Sequence, residues 1–230
     1  MESGSLQLNG ISWTVFRMGE TTWLLQPNTD KGMLDIIHQT AFLLEESDIQ
    51  DLRDVIPAYE SLTIIFNDSD IDLKKTLSGI DQINTAPKLL PEFHEINVCY
   101  ELGLDWKEIE INTRLTKEEV ILIHSSIEYT IAMMGFLPGF IFLEGLDDRI
   151  AVSRKENPRI KIPSGSVGIG GNQTGIYSLE SPGGWQIIGR TADSFFDVEK
   201  KPPTKLKAGD KIRFNPISKE EFDKMVAKNG

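Results

Sequence analysis

The hydrophobic positions of residues 1–83 follow two spacings, one typical of strands and one typical of helices. Alternating patterns predict strands, and apolar residues recurring every three or four positions predict helices. In chain order they predict strands at 11–16 and 21–26, a helix at 30–46, strands at 49–56 and 62–66, and a helix at 71–83. Asp30 is a candidate cap for the first helix. This order predicts a small α+β sandwich with its helices on one face of a sheet.

A proline-containing stretch, Asn84–Pro91, interrupts the pattern and predicts a linker. Beyond it the pattern predicts a strand at 94–100, helices at 105–111 and 116–126, strands and turns from Tyr129 onward, a last hairpin ending at 211–214, and a helical tail at 219–230. Thr116 and Glu119 have the spacing of a capping box, which favours the second of these helices. We therefore predict two domains, 1–86 and 92–230.

Glycine is concentrated between residues 134 and 191, which hold 11 of the 19 glycines of the chain. These glycines lie within or beside short β-like runs at 167–169, 176–179 and 185–188. Such a segment predicts closely spaced loops that present backbone N–H groups and a few polar side chains. The candidate site of the protein therefore lies in this segment.

The charge is unevenly distributed along the chain, whose net charge is −11. Residues 1–150 hold 10 Lys/Arg against 26 Asp/Glu, whereas residues 151–214 hold 11 against 6. Overall acidity argues against a general nucleic-acid binder. The basic balance of the second part indicates either an ordinary solvated face or attraction for an anionic ligand or an acidic partner.

The single cysteine and the length of the apolar runs indicate the cellular compartment of the protein. Cys99 has no second cysteine to pair with, and its strand-like context favours a buried thiol over a nucleophile. The longest apolar run, around residues 131–143, is broken by Gly135, Pro138 and Gly139 and is too short to span a bilayer. The N-terminus has no secretory pattern, so we expect a cytoplasmic protein.

Candidate chemistry is limited when the residues are taken alone. The glycines of 165–171 lack the spacing of a phosphate-binding loop, and the three histidines do not have metal-ligand spacing, so we expect no metal site. His124 lies on the capped helix, where a structural histidine is the default interpretation. Arg190 follows an apolar strand and either pairs with a local carboxylate or binds a ligand carboxylate or phosphate. Gln173 is a plausible hydrogen-bonding group.

Longer motifs resemble a known family. They are GFLPGFIFLEGLDDR (135–149), the stretch from NPRIKIPSGSVGIGGNQTGIY to SPGGWQIIGRT (157–191), and PPTKLKAGDKIRFNPI (202–217). INVCYELGLD (96–105) and VIPAYESLTIIF (55–66) resemble its further motifs, although the loop after Tyr100 is shorter here. The sequence thus resembles, over nearly its whole length, the family variously called KipI, allophanate hydrolase subunit 1 or the B subunit of 5-oxoprolinase.

The resemblance implies a small α+β N-terminal domain followed by a cyclophilin-like β-barrel. It implies the B subunit of an ATP-dependent 5-oxoprolinase, which opens the lactam of 5-oxoproline to glutamate. The implied partners are an allophanate hydrolase subunit 2-like protein (the C subunit of 5-oxoprolinase) and a lactam-utilisation protein (its A subunit), with ATP bound by this chain or only by the complex. Two alternatives stay open: a regulatory protein that inhibits a sensor histidine kinase, and a carboxyltransferase-type subunit for urea or allophanate.

The resemblance also implies roles for individual residues of the candidate site. His124 is the proton-transfer candidate, Arg190 the group for a carboxylate or phosphate, and Gln173 a contact for the substrate carbonyl or oxyanion. The backbone of Gly170 and Gly171 is expected to share that last role. Arg159 and Ser164 are expected at the edge of the pocket.

Overall fold

The computed structural model describes residues 3–29, 31–78, 80 and 89–229. The chain divides into two compact units, residues 1–90 and 91–230, and each is described by itself. Most of the predicted linker, residues 84–88, lies outside the described residues.

Unit 1 is an antiparallel sheet with helices. Its elements are β1 (Ser3–Leu8), β2 (Ile11–Arg17), β3 (Thr22–Pro27), α1 (Met33–Glu45), β4 (Leu52–Pro57), β5 (Leu62–Phe66) and α2 (Leu73–Leu77). The strand order in the sheet is β1-β2-β3-β5-β4. Helix α1 packs on the sheet through Ile37, Ala41 and Leu44, which join Trp13 and Leu25 in one apolar core. Unit 1 therefore buries one helix face against one sheet face.

The prediction for unit 1 is correct in most elements and wrong at some boundaries. The β2–β3 hairpin, α1, β4 and β5 lie where predicted, but the pattern missed β1, which pairs with β2. Helix α1 begins only at Met33, because Gly32 takes a left-handed conformation (φ 61°) at its start. Asp30, the predicted cap, lies outside the described residues. Helix α2 has five residues, and part of the predicted 71–83 helix is likewise not described.

Unit 2 is built on a seven-stranded, barrel-like sheet. Its elements are β6 (Phe93–Val98), α3 (Trp106–Thr113), α4 (Lys117–Ser126), β7 (Tyr129–Met134), β8 (Ile141–Glu144), β9 (Arg159–Ile162), β10 (Ser166–Gly170), β11 (Gln173–Ile176), β12 (Ser181–Gly183), β13 (Gln186–Arg190), β14 (Lys211–Pro216) and α5 (Lys219–Asn229). The order in the large sheet is β13-β10-β11-β8-β7-β14-β6, and β9 pairs with β12 separately. The α+β class and the barrel-like second part are thus confirmed.

The two outer strands of this sheet meet at one bridge. The backbone N–H of Cys99 donates to the carbonyl of Arg190 (2.9 Å), and the Arg190 N–H donates back to the Cys99 carbonyl (3.1 Å). Glycine is required beside this bridge, since a Cβ on Gly189 would lie 2.6 Å from Cγ1 of Val98. The segment after Cys99 continues along β13, where Leu104 and Asp105 donate their N–H groups to the Ile187 carbonyl. We call this contact between residues 98–105 and β13 the seam.

Two predictions for unit 2 are wrong. Strand β14 does not close a hairpin with the residues before it, because it lies between β7, antiparallel, and β6, parallel. The β-like run at 176–179 is mostly loop, and the strand there, β11, precedes it. The helices were predicted better: α4 has the capping box, with Thr116 accepting from the Glu119 N–H and Glu119 accepting from the Thr116 N–H. Cys99 is fully buried, as expected.

Candidate functional site

Asp105 is the centre of a charged cluster at the start of α3. Its buried carboxylate accepts from the Ile187 N–H (2.7 Å), from both terminal nitrogens of Arg159 and from Nζ of Lys155 (3.0 Å). Asp105 occupies the position before the helix but does not cap it with its side chain. Instead its oxygens tie the loop that carries Lys155 and strand β9 to strand β13.

The charges of this cluster stay fixed near neutral pH. Burial alone raises the pKa of Asp105, but hydrogen bonds, led by those from Arg159, outweigh burial and hold that pKa below its ordinary value. Burial alone lowers the pKa of Lys155, yet hydrogen bonds to Glu108 and Asp105 bring it above its ordinary value. The carboxylate is therefore an anion and the amine a cation, and neither acts as a proton carrier at pH 7.

A cleft of about 410 Å³ borders the cluster. It is lined by Glu108, Asn112, Ser153, Arg154, Lys155, Glu156, Asn157 and Gln186. The Arg154 guanidinium lies over the Trp185 ring, 5.5 Å from its centroid, which holds its planar face against an aromatic surface. Gln186 donates to the Ser153 carbonyl (3.3 Å). The cleft thus offers a guanidinium, several amides and the carboxylates of Glu108 and Glu156 as hydrogen-bonding groups for a small polar ligand.

Three predicted residues lie at the turn between β10 and β11. Gly170 pairs with Gln173 across this hairpin, and Gly171 (φ 73°) donates its N–H to the Val152 carbonyl (2.7 Å). Gly170 packs on the Trp185 ring so closely that a Cβ there would be 2.8 Å from it. The turn therefore lies beside the chain segment that leads into the cleft, although its residues do not line the cleft.

Arg190 and Ser164 lie at the other end of the same strands. The Nε of Arg190 donates to the Ser164 carbonyl (2.8 Å), and the Ser164 hydroxyl donates to the Ser178 carbonyl (2.7 Å). Arg190 pairs with Ser166 at the start of β10, whereas Gln173 pairs with Gly170 at its end. Ser166 and Gly170 are four residue steps apart along β10, which corresponds to about 13 Å. The structure therefore does not bring Arg190 and Gln173 to one ligand-sized site.

His124 lies in the core of unit 2 with no exposed surface. Its ring stacks on Phe214, with centroids 4.6 Å apart. Nδ1 faces the Tyr100 hydroxyl (2.7 Å), and Nε2 faces Oγ1 of Thr174 (2.9 Å). In this conformation no substrate reaches the ring.

The hydrogen bonds assign the protonation of His124. The Thr174 hydroxyl donates to the Gly168 carbonyl (3.0 Å), so Oγ1 must accept from Nε2–H. Nδ1 is then unprotonated and accepts a hydrogen bond from the Tyr100 hydroxyl. Burial lowers the pKa of His124 to about 3, in agreement with this neutral form. The network joins α4 to the middle of the sheet and supports a structural role.

The residues that build the cleft were largely missed from the sequence. Of the predicted site residues, only Arg159 belongs to the cluster, and it is bound to Asp105 rather than open to a ligand. Asp105 lies within the quoted INVCYELGLD motif, which was the signal available. Arg154 and Lys155 lie in the link between two motifs and carried no pattern of their own.

The described ranges contain neither a metal centre nor a membrane-spanning helix. Among residues 3–29, 31–78, 80 and 89–229, no group of three or more His, Cys, Asp or Glu is placed to hold a metal ion. No helix within the described part of the chain is long and apolar enough to cross a membrane.

These features define an α+β protein whose second unit is built on a barrel-like sheet. Residues 13–206 match the family model described as carboxyltransferase domain, subdomain C and D. The chain is 36% identical to the 5-oxoprolinase B subunit of Bacillus subtilis over 92% of this chain and 96% of the relative. The chain therefore belongs to the family known as KipI, allophanate hydrolase subunit 1 or the 5-oxoprolinase B subunit, as its motifs indicated.

Further relatives differ in their identity to this chain and in the share of their own length that it covers. The uncharacterized protein PH0987 of Pyrococcus horikoshii is 36% identical, covers 90% of this chain and 99% of its own, and superposes with a TM-score of 0.55. The crystal structure of TTHA0988 is 28% identical with a TM-score of 0.75 over 86% of this chain, which spans only 40% of that longer chain. Urea amidolyase of Lachancea kluyveri is 27% identical over 82% of this chain and 12% of its own.

Proposed function

We propose that this chain is the B subunit of a cytoplasmic, ATP-dependent 5-oxoprolinase, which opens the lactam of 5-oxoproline to glutamate together with the A and C subunits. The observation that carries this proposal is the similarity to the Bacillus subtilis protein over almost the full length of both chains. The only cysteine, Cys99, is buried, which suits a reducing compartment.

The cleft supports binding rather than complete catalysis by this chain. Arg154 offers a guanidinium for the substrate carboxylate, and the amides of Asn112 and Asn157 offer donors for the lactam carbonyl. Lys155 is engaged by acceptors on three sides, Asp105, Glu108 and Gln186, so its ammonium positions the cleft walls. A lactam carbonyl is a weak electrophile, and we assign its activation by ATP and the proton transfers to the assembled complex.

The test is reconstitution. ATP hydrolysis and glutamate formation from 5-oxoproline are measured for this chain alone and for the mixture with the A and C subunits. The proposal expects turnover in the full mixture and little or none from this chain alone. Full activity of the isolated chain would contradict the role of one subunit among several. If a folded, associated mixture shows neither ATP hydrolysis nor glutamate formation, 5-oxoproline is not the substrate.

A variant pair tests the cleft within that mixture. Arg154→Gln should raise the KM for 5-oxoproline by about tenfold or more, because a charge-assisted hydrogen bond is lost. Arg149→Gln is the matched control, since Arg149 is exposed and pairs only with its neighbour Asp147 among the residues that the structure describes. Equal kinetics for the two variants would place the substrate elsewhere, for example at the β10–β11 turn with Gln173.

The urea amidolyase relative favours one second candidate, a carboxyltransferase-type role on urea. The same mixture is assayed with urea and a carboxylated biotin carrier in place of 5-oxoproline. Carboxyl transfer to urea in this assay, together with no glutamate formation in the 5-oxoproline assay, would support this alternative and contradict the first.

A further inference from the structure

A second cavity of unit 2, of about 490 Å³, is separate from the cleft. Its lining residues are His94, Ser194, Phe195, Phe196, Asp197, Lys200, Lys201, Pro202, Pro203, Thr204, Lys205 and Leu206. We call it the lysine cavity. One wall is the start of β6, and the others come from the loop between β13 and β14.

The lysine cavity is cationic in a chain whose net charge is −11. Three lysines and a histidine line it against one carboxylate, Asp197, which pairs with Lys200 at 3.1 Å. The side chains of Lys201 and Lys205 make no hydrogen bond or ion pair with any residue that the structure describes. Two uncommitted ammonium groups therefore belong to one cavity, which attracts a multivalent anion.

His94 is held in the lysine cavity by a buried carboxylate. Asp210 is fully buried, and its oxygens accept from the backbone N–H groups of Glu92 and Lys207 (both 3.0 Å). The Nε2 of His94 lies 3.3 Å from Oδ2 of Asp210. Since both oxygens of Asp210 serve as acceptors, Nε2 is the donor, and Nδ1 remains for a ligand. In this tautomer Nδ1 can accept a hydrogen bond from a P–OH group of a bound phosphate.

The other walls are apolar and close to the cations. Phe195 and Leu206 are mostly buried, and Pro202 and Pro203 stand beside Lys201. Phe196 packs its Cβ toward Gly139, where a Cβ would lie only 2.6 Å away. A ligand here meets both cations and apolar side chains.

We propose that the lysine cavity binds a phosphate-class oxyanion, with Lys201 and Lys205 as the cations and His94, oriented by Asp210, as a hydrogen-bonding partner. The shared chemistry is a chain of phosphates, whether free or carried by a nucleotide. Binding in the lysine cavity is a property of this chain alone and does not depend on the proposed 5-oxoprolinase activity.

The experiment is calorimetric titration of the full chain, without partner proteins, with pyrophosphate, tripolyphosphate and ATP. One saturable site is expected, and Lys201→Gln and Lys205→Gln should each weaken it about fivefold to tenfold. Lys224→Gln is the matched control. It removes the same charge from α5, where Lys224 pairs with Glu220, and should leave the affinity unchanged.

His94→Gln tests the histidine without removing the buried Asp210, and should also weaken binding several-fold. Circular dichroism of each variant confirms its fold. Tighter binding of ATP than of tripolyphosphate identifies a nucleotide as the source, and equal binding identifies inorganic phosphates; both support the proposal. Absence of saturation at millimolar ligand, or equal weakening by Lys224→Gln, would overturn it.

Discussion

The neutral His124 in the core predicts that unit 2 loses stability in mild acid. The pKa of His124 falls from an ordinary 6.5 to about 3 on folding, because burial disfavours the charged ring. Between these values the unfolded chain binds one more proton than the folded chain. The free energy of unfolding of unit 2 therefore rises with pH between about 3 and 6.5, and it decreases as the pH falls below 6.5.

The magnitude follows from the size of the shift. Each pKa unit corresponds to about 1.4 kcal/mol, so acidification from pH 7 to pH 4 costs about 3 kcal/mol through this residue alone. This is a large share of the stability of an ordinary domain, which is about 5–15 kcal/mol. The effect appears as a slope of about 1.4 kcal/mol per pH unit, equivalent to one proton.

The assay is urea unfolding at several pH values, followed by methyl NMR signals of Ile169 and Ile212, which lie in the core of unit 2. His124→Gln should be less stable at pH 7 but lose that slope below pH 6.5. Tyr100→Phe is the matched control, since it removes the hydrogen bond to Nδ1 and keeps the titratable ring. An unchanged slope in His124→Gln, or a folded-state titration of the ring near pH 6.5, would refute the reasoning.

Other changes test the seam, the charged cluster and the helix cap. Asp105→Asn should destabilise unit 2 by about 1.5–3 kcal/mol in thermal or urea unfolding, because the half-buried Lys155 and Arg159 lose the buried carboxylate that they share; a loss below about 1 kcal/mol would contradict the cluster's role. Gly189→Ala should lower the melting temperature because its Cβ meets Val98, and Val98→Ala should restore part of the loss; no rescue would contradict that cause. Thr116→Ala should cost about 1 kcal/mol by removing the capping box, while Thr116→Ser should cost little.

The fold was more predictable than the site because local patterns report local structure. The capping box of α4 and the β2–β3 hairpin depend on residues close in sequence, and both were placed correctly. The position of β14 was missed because its parallel partner, β6, lies more than a hundred residues earlier, at His94↔Ile212 for example. No local spacing encodes such a pairing.

The grouping of the candidate site residues was harder to predict for a related reason. The glycine-rich segment placed Gln173, Gly170 and Arg190 close to one another in sequence, yet antiparallel strands put Arg190 at the opposite end from the other two. The cluster, in contrast, joins Asp105 to Arg159, 54 positions away. The roles of His124, Gln173 and Arg190 in catalysis remain predictions.

The pairing of β14 with β6 and β7 has a consequence for synthesis on the ribosome. Residues 93–98 leave the ribosome well before their partner at 211–216 is made. At typical rates of synthesis of about 5–20 residues per second, β14 is made roughly 6–24 seconds after β6. Unit 1 pairs its described strands only among residues 3–66, so its sheet can form during that interval. Until β14 is made, the edges of β6 and β7 that it covers lack this partner, and such unpaired edges favour pairing with other chains.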